Sequence, residues 1–397
     1  MKNNLKHHKK SKNVPKCYVF SKKNVIFALL NLINTMSMEQ NNYCVIMAGG
    51  IGSRFWPQSR VKHPKQFVDF FGMGKSLLRQ TYERFARIVP RENIIVSTHS
   101  DYSDLVREQL PELLPTQILH EPAHKGTAPS MAFAAYHIRT LDPNANIVMA
   151  PADQLIMDEE HFVQDMRSAL AYVAEHDCLL TVGIRPTHPE TRYGYIQMSG
   201  DGDNGFSKVK TFTEKPEIEF ARVFVESGEF CWNTGLFAWN VNTIIDTMSH
   251  LLPEVSTRLD RIFGEEPDRD KRRAALYACY ESFPNISVDY AVIERASNVY
   301  MLIGSFGWAD MGRWDDVYRY AGKDAEGNVV QSGKAEFYNS RNNLVAAPEG
   351  KLVVLQDLEG YLINDTEDVL VICKKDEDDD FKKFRTNVML KHGEGYM

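Results

Sequence analysis

The sequence has 397 residues, of which 43% are hydrophobic and 25% charged, the composition of a large globular protein with room for a second domain. The formal net charge of −7 is uneven: residues 1–38 contain eight lysines and no other charged residue, so the remaining 359 residues carry −15. An acidic body argues against a nucleic-acid partner, which needs a basic face. Six scattered cysteines without a CxxC pair predict neither a zinc site nor a disulfide framework, and they favour a reducing, cytoplasmic compartment.

The first 38 residues differ from the rest of the chain. Lysine-rich sequence runs to Lys23, and residues 25–33 are mostly apolar, as in the first two regions of a signal peptide. The apolar run is too short to span a bilayer. Two interpretations stay open: a targeting or membrane-surface segment, or a start codon assigned too early, with the chain beginning at Met36 or Met38. We expect this leader to lie outside the fold and expect no membrane partner.

Apolar runs at residues 43–48, 94–97, 147–150 and 179–182 predict buried parallel strands. Helical apolar patterns at residues 77–88, 127–138 and 162–173 lie between them. This alternation predicts an α/β fold with a Rossmann-like mixed, mainly parallel sheet. Gly49, Gly50 and Asp153 each follow a predicted strand, so we expect them to share one site at the carboxyl edge of the sheet.

The pattern changes in the second half of the chain. Shorter strands are predicted at 195–198, 208–213 and 236–239, with helical sequence at 216–227 and again over 241–296. A polar, glycine-bearing stretch near 322–334 predicts a domain boundary, beyond which short apolar runs predict a small β domain with a short terminal helix. The predicted organisation is therefore a leader (1–38), a catalytic domain (41–321) and a small β domain (322–397).

The segment most typical of a chemical function is glycine-rich and follows the first strand. It reads Ala48-Gly49-Gly50-Ile51-Gly52-Ser53-Arg54, and glycines there let backbone N–H groups approach phosphate oxygens. It lacks the Gly-Lys-Ser/Thr of a Walker loop, and Phe55 stands where a dinucleotide fingerprint needs its third glycine. Arg54, Arg60 and Lys65 add positive charge that suits a triphosphate. The alternative is a tight turn with solvated basic residues.

The loop continues as Phe55-Trp56-Pro57 and Pro64-Lys65-Gln66. The pattern from Gly49 to Gln66 resembles the signature of sugar-phosphate nucleotidyltransferases, and the resemblance to this family covers residues 41–390. The resemblance implies a GT-A-like catalytic domain that transfers GMP from GTP to α-D-mannose 1-phosphate, giving GDP-mannose and pyrophosphate. It implies Arg54 and Lys65 as catalytic residues. The nucleotide-binding residues that it implies are Gly49, Gly50, Gly52, Ser53, Glu121 and Thr127.

Later segments match the same family in order. Pro151-Ala152-Asp153-Gln154 and Trp308-Ala309-Asp310 imply Asp153 and Asp310 as ligands of Mg²⁺, which prefers carboxylate oxygens. Three further segments imply that Gly194, Glu214, Lys215 and Asn233 bind the sugar phosphate. Each segment has an ordinary alternative: Asp153 as the cap of a turn, Asp310 as a helix N-cap, and the Glu-Lys pair as a solvated surface.

The base-recognition segment, residues 121–129, departs from the family pattern. His124, Lys125 and Gly126 stand where the family usually has Gly-Arg-Asn. Two other functions therefore remain as alternatives: a pyrophosphorylase for another NTP and hexose 1-phosphate, or a non-catalytic regulatory relative, against which the presence of both metal carboxylates argues. The resemblance further implies a short left-handed β-helix after residue 322, and it leaves a homodimer open. Because the sequence ends at Met397, we expect no isomerase activity.

Overall fold

The computed structural model describes residues 40–200, 205–375 and 378–397, so the leader and its two interpretations lie outside the described residues. Within these ranges nine strands form one sheet in the order β3-β2-β1-β4-β9-β6-β10-β8-β7. Their bounds are β1 (Asn42–Met47), β2 (Ile94–His99), β3 (Ile118–Glu121), β4 (Asn146–Pro151), β6 (Leu179–Ile184), β7 (Gly194–Met198), β8 (Phe206–Glu214), β9 (Phe230–Asn240) and β10 (Val299–Gly304). Two shorter strands, β5 (Leu155–Ile156) and β11 (Trp308–Ala309), pair with each other beside it.

The sheet is mixed, as predicted. The pairs β1–β2, β1–β4, β2–β3 and β6–β10 are parallel. Strand β9 runs antiparallel to β4, β6 and β7, and β8 runs antiparallel to β10 and β7. All strands of this sheet except β8 and β9 therefore point the same way. The strand predicted at 236–239 is longer than expected, because β9 begins at Phe230 and includes Asn233.

Helices cover both faces of the sheet. In chain order they are α1 (Leu77–Phe85), α2 (Ser103–Gln109), α3 (Thr127–Leu141), α4 (Glu159–Glu175), α5 (Ile218–Ser227), α6 (Val241–Leu251), α7 (Pro253–Glu265) and α8 (Arg269–Tyr280), followed by a π-helical turn (Asp289–Ile293) and α9 (Trp314–Tyr320). One apolar core packs α1, α2 and α4 against the sheet, and a second packs α3, α6, α7 and α8 against its other face. This layering is the Rossmann-like arrangement that strands alternating with helices predict.

The last part of the chain contains six strands and a helix. They are β12 (Val329–Ser332), β13 (Lys334–Tyr338), β14 (Leu344–Ala346), β15 (Leu352–Gln356), β16 (Tyr361–Asp365), β17 (Leu370–Lys374) and α10 (Asp378–His392). Strands β12, β14 and β16 pair in parallel, as do β13 and β15. The predicted terminal helix is present, and at 15 residues α10 is longer than expected. Strands β12 and β13 were not predicted, since their alternating polar residues leave no continuous apolar run.

The glycine-rich loop packs against this last part of the chain. Phe55, Phe70 and Trp314 share a buried cluster with Leu344 and Leu362 of the C-terminal strands. The Trp56 indole N–H donates to the carbonyl oxygen of Tyr396 at 2.7 Å. The aromatic residues of the Phe-Trp-Pro signature therefore anchor the loop rather than face its open side. No helix in the described part of the chain is long and apolar enough to cross a membrane.

Candidate active site

The glycine-rich loop leaves β1 in a fixed conformation. The carbonyl oxygen of Ala48 accepts hydrogen bonds from Gln66 Nε2 and Thr98 Oγ1, both at 2.9 Å. Gly52 has a φ of 65°, and a Cβ built there would lie 2.5 Å from Cγ of Lys65. A larger residue would therefore displace the buried lysine stem. A Cβ at Gly49 or Gly50 would contact nothing within 4 Å, so this part of the loop faces open space.

The loop lies beside a lysine held by an acidic partner. Lys65 Nζ is 2.7 Å from Asp153 Oδ2 and donates to the carbonyl oxygen of Met311 at 3.2 Å. Asp153 and Asp310 are brought together by the short β5–β11 pair, in which Ala309 lies opposite Leu155. Because β5 begins two residues after Asp153 and β11 ends one residue before Asp310, this pair joins two segments that are far apart in sequence.

Electrostatics at this position favour a cation. Burial is the largest influence on Lys65 and favours the neutral amine, but the carboxylates of Asp153 and Asp310 outweigh it and raise the pKa of the ammonium group. Burial also raises the pKa of Asp310, with Asp153 and Asp316 adding to it and Lys65 opposing it. The alternative role of Asp310 as a helix cap is wrong, because the N-cap of α9 is Arg313.

The same carboxylates fit a divalent metal. Mg²⁺ in phosphate-transfer sites is held by one or two carboxylates and completed by water and substrate phosphates. Asp153 and Asp310 provide such a pair around one cationic position. Residues 40–200, 205–375 and 378–397 contain no group of three or more His, Cys, Asp or Glu side chains placed to hold a metal by themselves. The donor set therefore suits a metal that is bound together with nucleotide.

The basic residues of the loop have different surroundings. Ser53 and Arg54 are exposed on the open side of the loop. Arg60, which we expected to face the triphosphate with them, points elsewhere: its guanidinium lies 2.5 Å from Asp368 Oδ1 and 3.1 Å from Thr366 Oγ1. The expectation for Arg60 is therefore wrong, because its guanidinium forms an ion pair with Asp368 in the turn between β16 and β17.

Glu121, predicted to read the nucleobase, is buried at the end of β3. Its carboxylate accepts hydrogen bonds from Ser97 Oγ at 2.7 Å, Ser130 Oγ at 2.6 Å and the Tyr280 hydroxyl at 2.8 Å. These three hydroxyl groups satisfy the carboxylate from inside the protein. The contacts indicate that Glu121 holds the segment that follows it, and its role as a nucleotide-binding residue stays a prediction.

That segment is joined to the turn after α8. Thr127 Oγ1 accepts from the backbone N–H of Val288 at 2.8 Å. The backbone N–H of Ala128 donates to the carbonyl oxygen of Ile286, whose own N–H donates to that of Lys125, both at 3.1 Å. Residues 125–128 and 286–288 are thus fastened together, which fixes the start of α3 relative to Asp289.

Gly194, Glu214 and Asn233, which the family resemblance assigned to one function, meet at one place. A Cβ added to Gly194 would lie 2.6 Å from Glu214 Oε2 and 3.4 Å from Cβ of Asn233, so a larger residue would displace the end of the Glu214 side chain. Lys215 follows with a φ of 48°, and its ammonium contacts the Glu214 carboxylate. Positive φ is uncommon for residues other than Gly, Asn and Asp. In the described ranges, Lys215 and Met311 are the only residues other than Gly, Asn and Asp that have a positive φ. Lys215 follows Glu214, and Met311 follows Asp310, so both adjoin the site.

Asp289 completes this group and was not predicted. Asn233 Nδ2 donates to Asp289 Oδ1 at 2.7 Å, and burial, followed by the nearby Glu214, raises the pKa of the Asp289 carboxyl. Asp289 starts the π-helical turn, a conformation that is rare and frequently found at functional sites. An isolated Asp in a helical stretch gives no sequence signal of such a role.

The two groups are neighbours in space. Gln154, next to Asp153, donates its side-chain N–H to the carbonyl oxygen of Thr234, next to Asn233. The glycine-rich loop, the Lys65–Asp153 ion pair and the polar residues around Gly194 (Glu214, Asn233 and Asp289, called the polar pocket below) therefore lie close together in the sheet domain. Residues 43–327 match the family described as Nucleotidyl transferase, and the chain belongs to this family.

Within the family, the chain is similar to mannose-1-phosphate guanylyltransferases. It is 34% identical over 344 residues to mannose-1-phosphate guanylyltransferase RfbM of Salmonella typhimurium, covering 85% of this chain and 71% of that protein. It is 35% identical over 353 residues to mannose-1-phosphate guanylyltransferase of Escherichia coli, covering 86% and 72%. A crystal structure described as mannose-1-phosphate geranyltransferase from Thermus thermophilus superimposes with a TM-score of 0.79 at 28% identity, covering 88% of this chain and 99% of that one.

Proposed function

We propose that the protein transfers GMP from GTP to α-D-mannose 1-phosphate, forming GDP-mannose and releasing pyrophosphate. The observation that carries the proposal is the meeting of Lys65 with Asp153 and Asp310 between the glycine-rich loop and the polar pocket. The names of relatives 34% and 35% identical support guanine nucleotide and mannose 1-phosphate as the substrate pair.

In the proposed step, an oxygen of the sugar phosphate attacks the α-phosphorus of GTP. A new P–O bond forms, the bond between the α-phosphorus and the bridging oxygen of pyrophosphate breaks, and the electron pair leaves with pyrophosphate. The attacking oxygen is already ionised near neutral pH, so the step needs no general base. Catalysis then rests on positioning and on neutralising negative charge.

Arg54 and Lys65 supply positive charge to the triphosphate in this proposal. Arg54 is exposed beside the open part of the loop, where a phosphate group can reach it. The backbone of Gly49, Gly50, Gly52 and Ser53 would bind the phosphates through N–H groups. Asp153 and Asp310 would hold Mg²⁺, which, when bound, neutralises and orients phosphate oxygens.

Sugar recognition is proposed at Gly194, Glu214, Lys215 and Asn233. Glu214 and Asn233 carry acceptors that suit sugar hydroxyls, and Lys215 carries a charge that suits the sugar phosphate. Thr127 is proposed to support the nucleotide through the start of α3, to which its hydrogen bond with Val288 contributes. For Glu121 we propose a positioning role, supported by its three internal hydroxyl donors.

We further propose that residues 41–321 form the catalytic domain and residues 322–397 a short left-handed β-helix. The family match over residues 43–327 supports the boundary. Parallel pairing of Lys334 with Leu352 and of Leu344 with Leu362, each a separation of 18 residues, supports a regular coil. A cytoplasmic location is proposed because Cys44, Cys178 and Cys231 are thiols buried in the core, which suits a reducing compartment.

A pyrophosphate-release assay tests the proposal. The purified full chain is given Mg²⁺, each of four NTPs and, in turn, mannose, glucose and galactose 1-phosphates. We expect fastest release with GTP and mannose 1-phosphate, and formation of GDP-mannose by chromatography. Faster release with another pair would replace the proposed substrates, and no release with any pair would favour a non-catalytic relative. Asp153→Asn is the matched inactive control, since it removes a charge while keeping the size of the side chain.

A further inference from the structure

A second cavity lies away from the candidate active site, between the edge strand β3 and helix α8. Its volume is about 360 Å³, within the range of small-molecule sites. Its apolar walls include Leu119, Phe133 and Leu276. None of its lining residues belongs to the glycine-rich loop, the carboxylate pair or the polar pocket. The cavity is therefore separate from the proposed reaction.

One side of the cavity is basic. Arg269, Arg272 and Arg273 line it from α8, whereas Glu92 is its single acidic lining residue. Arg273 also lies 3.4 Å from Asp270 Oδ1 in an exposed ion pair, which is weak enough for a phosphate to compete with it. Arg272 is held by the carbonyl oxygen of Glu266 at 3.1 Å. Arg269 is exposed and forms no hydrogen bond or ion pair with any residue in the described ranges, so its guanidinium donors are available to a ligand. Guanidinium groups bind phosphate and carboxylate with paired N–H donors.

A histidine lies on the apolar side of the cavity. His137 lines the cavity from α3, and its Nε2 is buried. Burial, followed by Arg269 and Arg272, lowers the pKa of His137 to about 4, so the imidazole is neutral near pH 7. A neutral ring adds no charge, so the positive charge of the cavity comes from the arginines of α8.

We propose that this cavity binds a small aromatic phosphate monoester. Its ring packs against Phe133 and Leu276, and its phosphate binds Arg269 and Arg273. The apolar walls alone would accept a neutral ring and the arginines alone would accept inorganic phosphate. The two features together favour a molecule that carries both groups.

Isothermal titration calorimetry of the full chain tests the proposal with three probes: 1-naphthyl phosphate, 1-naphthol and inorganic phosphate. We expect 1-naphthyl phosphate to bind at least about tenfold more tightly than either fragment, a difference of about 1.4 kcal/mol. Arg269→Ala should weaken its binding about tenfold. Arg222→Ala, an exposed arginine on α5 outside the cavity, is the matched control and should leave the affinity unchanged.

A second variant fills the cavity without touching its charges. Thr140 is an exposed lining residue on α3, so Thr140→Trp should place an indole in the cavity and keep the fold. We expect it to abolish binding of 1-naphthyl phosphate while the melting temperature and pyrophosphate release stay at wild-type values. Equal affinity for the ester and inorganic phosphate, or an affinity that neither Arg269→Ala nor Thr140→Trp changes, would overturn the proposal.

Discussion

The candidate active site has two halves that are built differently. The half that we propose to bind the phosphates, called the phosphate half, comprises the glycine-rich loop, Lys65, Asp153 and Asp310, and there a cation lies beside carboxylates. The half that we propose to bind the sugar, called the sugar half, comprises Gly194, Glu214, Lys215, Asn233 and Asp289, and there two carboxylates and an amide lie next to a glycine. The first half is arranged to balance charge, and the second to offer hydrogen-bond acceptors. Substitutions should therefore change turnover in one half and substrate affinity in the other.

The largest effect is expected in the phosphate half. Arg54→Ala should lower kcat by about 10² to 10³, corresponding to about 3–4 kcal/mol, because the charge would stabilise the transition state more than bound GTP. Pyrophosphate release with GTP and mannose 1-phosphate measures it. Arg54→Lys is the control and should recover part of the loss, since it restores charge without the planar guanidinium. Full activity of Arg54→Ala would remove Arg54 from the phosphate half.

The next largest effect is expected in the sugar half. Asp289→Asn keeps the size of the side chain but removes a charged acceptor beside Asn233, so KM for the sugar phosphate should rise about 10- to 100-fold, with a smaller change in kcat. Initial rates at varied mannose 1-phosphate and saturating GTP measure the two constants. A fall in kcat at unchanged KM would contradict the assignment of Asp289 to the sugar half.

The pH dependence gives a second readout of Asp289. Burial raises the pKa of its carboxyl, so the charged acceptor is lost at a higher pH than for an exposed Asp. As pH falls through this raised pKa, KM for the sugar phosphate should increase in the wild type, whereas Asp289→Asn should lack that component. The difference between the two pH profiles isolates Asp289 from the other titrating groups.

The phosphate half was the more predictable from sequence. Its loop is a continuous segment after an apolar strand, and glycine spacing together with nearby basic residues indicates phosphate binding. Buried strands and the helices between them likewise produce continuous apolar patterns, which is why the layered α/β fold was predicted. The meeting of Asp153 and Asp310 depends on β5 and β11, strands of two residues each, which are too short for any periodicity.

Tertiary contacts decided the residues for which sequence reasoning was incomplete or wrong. Glu121 finds its hydroxyl donor Tyr280 159 positions away, and Arg60 finds Asp368 308 positions away. Asp289 belongs to the sugar half only because the π-helical turn places it beside Asn233. A local motif identifies a polar residue as a candidate, but its partner is set by strand order and loop packing.

A smaller effect is expected for the hydrogen bond between Tyr280 and Glu121, which supports the predicted base-recognition segment, residues 121–129. Tyr280→Phe removes one of three donors to the buried Glu121 carboxylate and should lower the free energy of unfolding by about 1–3 kcal/mol. It should also raise KM for GTP more than KM for mannose 1-phosphate. Urea unfolding and initial rates measure these changes. Tyr277→Phe, an exposed position one helical turn earlier, is the matched control. Equal effects on both substrates would argue against a nucleotide-side role.

The smallest effect is expected for Arg60, which the structure separates from the phosphate half. Its partner Asp368 is largely exposed, and the hydrogen bond from Arg60 is the main influence that lowers the Asp368 pKa to about 2. Exposed ion pairs contribute about 0.2–1 kcal/mol, so the ion pair itself should account for no more than this in the loss of unfolding free energy on Arg60→Ala. Salt at about 1 M should remove most of that contribution, because it screens exposed charges.

Arg60→Ala also tests whether Arg54 and Arg60 differ in their contribution to turnover. Because Asp368 has its pKa lowered by folding, the stabilisation by the pair is present above the ordinary pKa of an Asp and is lost as pH falls toward about 2. At neutral pH the pair is intact, and Arg60→Ala should leave kcat within about twofold of wild type, as expected for a surface substitution away from the reaction. A loss of kcat comparable to that of Arg54→Ala would mean that Arg60 leaves Asp368 when GTP binds. The phosphate half would then include Arg60, and the charge around the bound triphosphate would depend on whether Asp368 or GTP pairs with this arginine.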